Sequence, residues 1–286
     1  MNMILQDKRA LITGASVGIG RAIARALAER GVTMAIAARR TAALEELAGE
    51  MAGAGHERPV VLATDLTKRG AAADLATRAA AELGQIDILI NNAGASAVGS
   101  QWDMGDGDAA RELFELNYWS PMALIQALVP PMRRRRDGAV VNVTSLSGVT
   151  PWVCTGHYSS TKAALSLASE TLRLELKGSG VHVLEVIAGP IETALLAWVR
   201  RDVPGASAAM AWGPRGKADK LARLVVQGLE RRRKTLVYPR SLGLTPFLPV
   251  PSRWLMARLQ HNLDGDAAGR AAAPPSAQPP PGGPER

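Results

Sequence analysis

Short apolar runs alternate along this chain with longer stretches whose apolar residues recur every three or four positions. The runs Lys8–Ala15, Thr33–Ala38, Pro59–Asp65, Ile86–Gly94, Gly138–Ser145 and Val181–Ala188 read as strands. Helical periodicity fills the gaps between them. It covers Ile19–Glu29, through Ile19, Ile23 and Leu27, and is closed by Gly31. Leu44 and Leu47 belong to a second helix, Ala71–Leu83 forms a third, and a fourth region covers 108–132, bent or restarted near Pro121. A further helix spans 156–177, and after 215 come a helix over 216–232 and a short strand, Thr235–Tyr238. Several of the runs are apolar throughout, as strands covered on both faces are. The pattern predicts an α/β fold: a doubly wound parallel sheet of about seven strands with helices on both faces.

In such a sheet ligands bind at the carboxyl ends of the strands, near the reversal of strand order. Those ends carry Gly14, Ala38, Asp65, Asn92, Ser145 and Gly189, a small, polar or glycine-rich set. The domain reading is one unit over 1–240, an apolar and basic extension over 241–266, and a Pro- and Ala-rich tail over 267–286 expected to be disordered.

Composition narrows the classes. Hydrophobic residues make up 47% of 286 residues, enough for a full core. Cys154 is the single cysteine, which excludes a disulfide framework. His56, His157, His182 and His261 lack metal-ligand spacing, so no metal site is expected. The amino terminus does not read as a signal peptide, and no apolar run reaches the roughly 18 residues of a membrane span. The expectation is a cytoplasmic protein. Residues 1–199 hold 19 Lys+Arg against 20 Asp+Glu, whereas 200–286 hold 15 against 6. The basic carboxyl-terminal third is either a solvated surface or a contact for an anionic partner, and its apolar and basic segment is either a peripheral membrane contact or packing over the substrate side or a subunit interface. No motif supports nucleic-acid binding.

Two motifs carry the chemistry. Thr13-Gly-Ala-Ser-Val-Gly-Ile-Gly lies between the first strand and the first helix. Gly14, Gly18 and Gly20 let the backbone turn tightly beside a pyrophosphate, and the helix start offers free N–H groups. Tyr158 and Lys162 stand four residues apart in a helical stretch, so they share a face. An ammonium beside a phenol lowers its pKa from about 10, making a proton donor and acceptor near neutrality. Ser145, thirteen residues upstream of the tyrosine, is placed to hold a carbonyl oxygen.

With Asp65-Leu, Asn91-Asn-Ala-Gly, Asn117 and Gly189-Pro-Ile-Glu-Thr in the same order, residues 6–195 resemble the short-chain dehydrogenase/reductase family. The resemblance implies a nicotinamide cofactor and carbonyl/alcohol chemistry. It puts Gly14, Ser16, Gly18, Ile19 and Gly20 on the cofactor's phosphates and Asp65 and Leu66 at its adenine. It sets Asn92, Ala93 and Gly94 against the cofactor, with Gly189, Ile191 and Thr193 near the nicotinamide. Tyr158 becomes the general acid/base, Lys162 its partner and a ribose ligand, Ser145 the substrate-oxygen donor, and Asn117 the anchor of a proton-relay water. Where NAD-preferring relatives end the second strand with an acid, this chain has Ala38 and then Arg39, which favours NADP(H). Ala188 replaces the family's usual proline before Gly189.

The segment after the sixth strand, about 190–215, is the family's substrate lid. Trp198, Met210 and Trp212 in it, with Trp152 and Cys154, suggest a lipophilic carbonyl or alcohol; lid packing is the alternative. The resemblance also implies a homo-oligomer, dimer or tetramer. The expected function is an NADP(H)-dependent ketone reductase or alcohol dehydrogenase. The alternatives are a 3-oxoacyl-carrier-protein reductase and a catalytically silent nucleotide sensor or scaffold.

Overall fold

The computed structural model describes residues 2–193, 196–197 and 214–260. Seven strands form one parallel sheet: β1 Arg9–Thr13, β2 Thr33–Ala38, β3 Val60–Ala63, β4 Ile88–Asn91, β5 Gly138–Ser145, β6 Val181–Ala188 and β7 Thr235–Tyr238. Their spatial order is β3-β2-β1-β4-β5-β6-β7, so the order reverses between β1 and β4. The helices are α1 Gly18–Ala28, α2 Thr41–Gly53, α3 Ala71–Leu83, α4 Gln101–Met104, α5 Asp108–Phe114, α6 Ser120–Arg135, α7 Gly156–Glu175, α8 Ala218–Glu230 and α9 Pro249–Leu259.

Alternate residues of each strand feed opposite cores, as the period of a pleated strand requires. Ala10 and Ile12, Ile88 and Ile90, and Val141 and Val143 join one cluster with α1, α2 and α8. Leu11, Leu89 and Val140 join the other with α3 and α6. The doubly wound parallel sheet read from the sequence is the observed one.

The long helical region differs in detail. It is α5 and α6 joined by a π-helical turn, Glu115–Trp119, so the change of path precedes Pro121. That turn carries Asn117, which is fully buried. Wide turns of this kind re-aim one residue without ending the helix. The basic run Arg133–Arg136 closes α6, with Arg136 in the left-handed region at φ 56°. Cations there suit the carboxyl end of the helix dipole.

Polar groups inside the core tie α7 to the sheet. Asn91 Nδ2 donates to Asn142 Oδ1 (2.8 Å), and Asn142 Nδ2 donates to Ser169 Oγ (2.8 Å). Glu185, only 1% exposed in the middle of β6, accepts from Thr144 Oγ1 (2.9 Å) and Ser166 Oγ (2.6 Å). Thr144 adjoins Ser145, and Ser166 is one turn beyond Lys162, so a single carboxyl group links the strand end to the helix of the candidate site. Burial raises the Glu185 pKa above 4.5, against the two hydroxyl bonds that lower it.

The expectations for 194–195 and 198–213, including Trp198, Met210 and Trp212, concern residues outside those described, as do those for 261–266 and the tail over 267–286.

A raised carboxyl pKa means the native state binds this proton more tightly than the unfolded chain. Its stabilisation is therefore full below about 4.5 and is lost as pH rises through the native value. Glu185→Gln keeps an acceptor and cannot ionise. Thermal melts across pH should show a shallower alkaline decline of Tm for this variant, whereas Glu185→Leu should melt lower at every pH. Parallel pH curves for Gln and wild type would contradict the assignment.

Candidate active site

The cleft opens where the strand order reverses. Gly14 (φ 68°) turns the chain out of β1, and a Cβ there would lie 2.8 Å from Ala93 Cα and Asn92 Nδ2. A Cβ on Gly20 would lie 2.3 Å from Gly14 O. Thr13 Oγ1 donates to Ile90 O (3.2 Å) and accepts from Asn92 N and Ala93 N, both at 3.1 Å. Asn92 Nδ2 returns bonds to Thr13 O (2.9 Å) and Gly14 O (3.1 Å). Asn92 and Ala93 thus hold the glycine loop to the end of β4.

α1 begins at Gly18 with Val17 as its cap, and no side chain caps it. The first-turn N–H groups near Ile19 and Gly20 therefore remain available to an anion. Ser16 is buried in the preceding turn. A Cβ on Gly18 (φ 60°) would meet Thr193 Cγ2 at 3.3 Å, so Thr193 flanks this loop. The uncapped helix start, beside a loop that Gly14 and Gly20 let pack tightly against the end of β4, fits the pyrophosphate of a dinucleotide.

Around this loop stand the other predicted contacts. Asp65 Oδ1 accepts from Thr67 N (3.1 Å) and Thr67 Oγ1 (2.8 Å), which fixes the turn after β3. Leu66 is buried, and its carbonyl accepts from Ser120 Oγ (2.8 Å). Arg39 follows β2, exposed and beside no acidic residue in the sequence from Arg30 to Leu44. Beyond β6, Gly189 N donates to Tyr238 O (2.8 Å), while Ile191 is buried and bridges to Gly216. With Ala188 in place of proline, β6 stays paired through Ala188↔Tyr238.

The chemical end is assembled from four elements. Ser145 ends β5, and its Oγ accepts from Ser147 N (3.1 Å). Tyr158 and Lys162 lie on α7, with Ser145 close enough to the phenol to influence its ionisation, while the Ser145 hydroxyl donates to Ser147 Oγ (3.3 Å). Lys162 is 5% exposed, and its Nζ donates to Val143 O (3.0 Å) from 6.0 Å off the Tyr158 ring centroid. Asn117 Nδ2 donates to Ala95 O (2.9 Å) and Thr161 Oγ1 (3.0 Å), and its Oδ1 accepts from Ala95 N (3.1 Å). A Cβ on Gly94 would be 3.2 Å from Asn117 Oδ1 and 3.3 Å from Lys162 Nζ. The glycine thus lets β4's end, the π turn and α7 converge.

The electrostatics depart from the sequence expectation. Burial is the first influence on both groups: it raises the Tyr158 phenol above 10, with the Ser145 bond opposing, and drags Lys162 down to about 8. The Lys162 ammonium meanwhile donates to the Val143 carbonyl and is itself desolvated.

Sequence reading missed Glu185 and Gly94's contact role. A carboxylate inside the apolar run Val181–Ala188 was the available signal for the first. It also missed Gln260, which reaches from the carboxyl-terminal segment to the loop between Ser145 and Tyr158.

Comparison with known proteins agrees with this geometry. The family model described as short chain dehydrogenase matches residues 8–204. A short chain dehydrogenase of Pseudocercospora fijiensis is 38% identical over 192 residues, covering 67% of this chain and 62% of that protein. The chain thus spans about three fifths of that relative's length. The crystal structure of a short-chain dehydrogenase from Streptomyces avermitilis is 31% identical with a TM-score of 0.75, covering 90% of this chain and 97% of that one. A short-chain dehydrogenase from Sphingobium yanoikuyae, solved in complex with NADPH, is 28% identical with a TM-score of 0.74, covering 91% and 99%. This chain belongs to the short-chain dehydrogenase family of oxidoreductases.

Proposed function

We propose that the protein is an NADP(H)-dependent oxidoreductase that interconverts a lipophilic ketone and its secondary alcohol. The observation that carries this is the convergence of Ser145, Tyr158, Lys162 and Asn117 beside a loop shaped for a dinucleotide. Bound there, a nicotinamide supplies or accepts the hydride. Ser145 Oγ holds the substrate oxygen beside the Tyr158 hydroxyl. Tyr158 gives that oxygen a proton in reduction and takes it back in oxidation. Lys162 lies behind it, and Asn117, tied to Ala95 and Thr161, is the anchor for a relay water that resupplies the proton.

Arg39 supports NADP(H): an exposed guanidinium just past β2 can take a 2′-phosphate bidentately, and Ala38 presents no carboxylate to repel it. The Sphingobium relative's NADPH is consistent with this reading. The lipophilic substrate is supported by Leu146, Trp152 and Cys154 in the loop between Ser145 and Tyr158. For the oligomer, α6 and α7 offer a groove lined by Met122, Ile125, Leu167, Ala168 and Leu172, with Leu167 67% exposed. We place the self-association of this chain on that face.

NADPH and NADH consumption with a panel of short and long apolar ketones tests the activity. Tyr158→Phe should lower kcat by about 10^3-fold and leave cofactor binding intact. Cofactor binding without turnover of any ketone, and no effect of that substitution, would turn the reading to a sensor. With the phenol held above 10, reduction should stay level through neutral pH, whereas oxidation should climb as pH rises. A reduction rate that falls from pH 6 to 7 would contradict this assignment of the acid.

Arg39→Glu should raise KM for NADPH about ten- to a hundredfold and spare NADH. Equal loss with both cofactors would remove Arg39 from the phosphate site. Leu167→Glu should reduce the particle mass seen by light scattering; an unchanged mass would place the subunit contact elsewhere.

A further inference from the structure

The carboxyl-terminal segment has one docked side and one bare side. On the docked side, Gln260 Oε1 accepts from Val153 N (2.6 Å), and its Nε2 donates to Pro151 O (3.1 Å). Arg253 Nε donates to Val149 O (3.0 Å). Val149, Pro151 and Val153 belong to the loop that separates Ser145 from Tyr158, so α9 rides on the wall of the cleft.

The other side is apolar and uncovered. Leu244 is 71% exposed, Phe247 68%, Val250 76%, Trp254 61%, Leu255 52% and Leu259 57%. Trp254, Leu255, Arg258 and Leu259 have helical spacing that gathers them on one side of α9, away from Ser252, Met256 and Gln260, its less exposed positions. The Arg258 guanidinium lies 5.1 Å from the Trp254 ring centroid. An exposed apolar surface of this extent marks a contact rather than ordinary solvent.

Charge selects the partner. From Pro239 to Gln260 the sequence has Arg240, Arg253 and Arg258 and no Asp or Glu. The strongly basic run Arg231–Lys234 does not add to them. It precedes β7, and Pro239 follows it, so the two lie at opposite ends of that strand, about 13 Å apart. A second copy seated on this surface through a two-fold axis would set the arginines against their own copies. An anionic surface would be attracted instead.

We propose that residues 244–259 form an interfacial docking surface for an anionic lipid bilayer. Trp254, Leu255, Leu259 and Phe247 enter the boundary between headgroups and acyl chains, while Arg240 and Arg258 meet lipid phosphates. The segment lies on the membrane and does not cross it: no helix among the described residues is long and apolar enough to span. Docking brings the cleft wall to the surface in which a lipophilic ketone or alcohol is dissolved; that consequence rests on the reading of the substrate above, and lipid binding itself does not.

The full chain should be sedimented with vesicles of phosphatidylcholine alone and of phosphatidylcholine with phosphatidylglycerol. It should pellet with the anionic vesicles and be released by salt. Trp254→Ala combined with Leu255→Ser should weaken that binding about tenfold or more. Arg240→Gln with Arg258→Gln should remove the preference for anionic lipid. Both residues of the first variant are exposed, and NADPH binding, followed by fluorescence titration, should stay unchanged in each. Absence of sedimentation with either vesicle overturns the proposal, as does undiminished binding of the Trp254/Leu255 variant. A lower particle mass for that variant, without vesicle binding by wild type, assigns the surface to a second copy. A protein that binds vesicles and reduces no ketone would retain this surface and lose the catalytic reading.

Discussion

The contact between the ends of β1 and β4 governs this molecule. Doubly wound sheets part their connections where the strand order reverses, and the parting leaves a cleft with unpaired backbone on both sides. Thr13 and Asn92 close the base of it, each using both its side chain and its main chain. Only glycine fits at position 14 beside that tie, since a Cβ would strike Ala93. The same bonds that complete the sheet therefore set the loop's curvature, the start of α1 and its uncapped N–H groups. Two residues later Gly94 admits Asn117 and Lys162 from the far side. Phosphate cradle and proton-transfer groups are fixed relative to each other by one short piece of β4.

α7 must then be held in register with β5, because Ser145 comes from one and Tyr158 and Lys162 from the other. Apolar packing alone tolerates sliding, whereas hydrogen bonds between buried polar groups have a definite geometry. The Asn91–Asn142–Ser169 chain and the Thr144–Glu185–Ser166 bridge supply that definition at two heights on the helix. A buried carboxyl group costs less when it is neutral and doubly bonded than when it is charged, which is the state its raised pKa favours.

Strand and helix periodicity, and therefore the fold class, were legible because they are local and repeated. The glycine loop and the four residues Asn117, Ser145, Tyr158 and Lys162 were legible because their spacing is tied to a family pattern. What escaped depended on distance along the chain. Gln260 meets Val153 across more than a hundred positions, and nothing in Leu259-Gln-His announces it. The π turn escaped because its periodicity differs from an α-helix by one residue, and Pro121 nearby offered a more obvious break. The basic third of the chain was misleading as a unit: β7 divides it between the two ends of one strand, and a charge count carries no direction.

The tyrosine and lysine show most plainly where spacing stops being chemistry. Four residues of separation put them on one face of α7, and from that alone an ammonium would depress the phenol. In the folded chain the stronger effect on each is loss of water. Desolvation favours the neutral form of both, so it drives their pKa values apart: the phenol up from 10 and the ammonium down to about 8. The Ser145 hydroxyl is the opposing influence on the phenol, and it is also the group that would share a substrate oxygen with it. Burial therefore favours the protonated phenol in the folded chain, with Ser145 as the influence that opposes it.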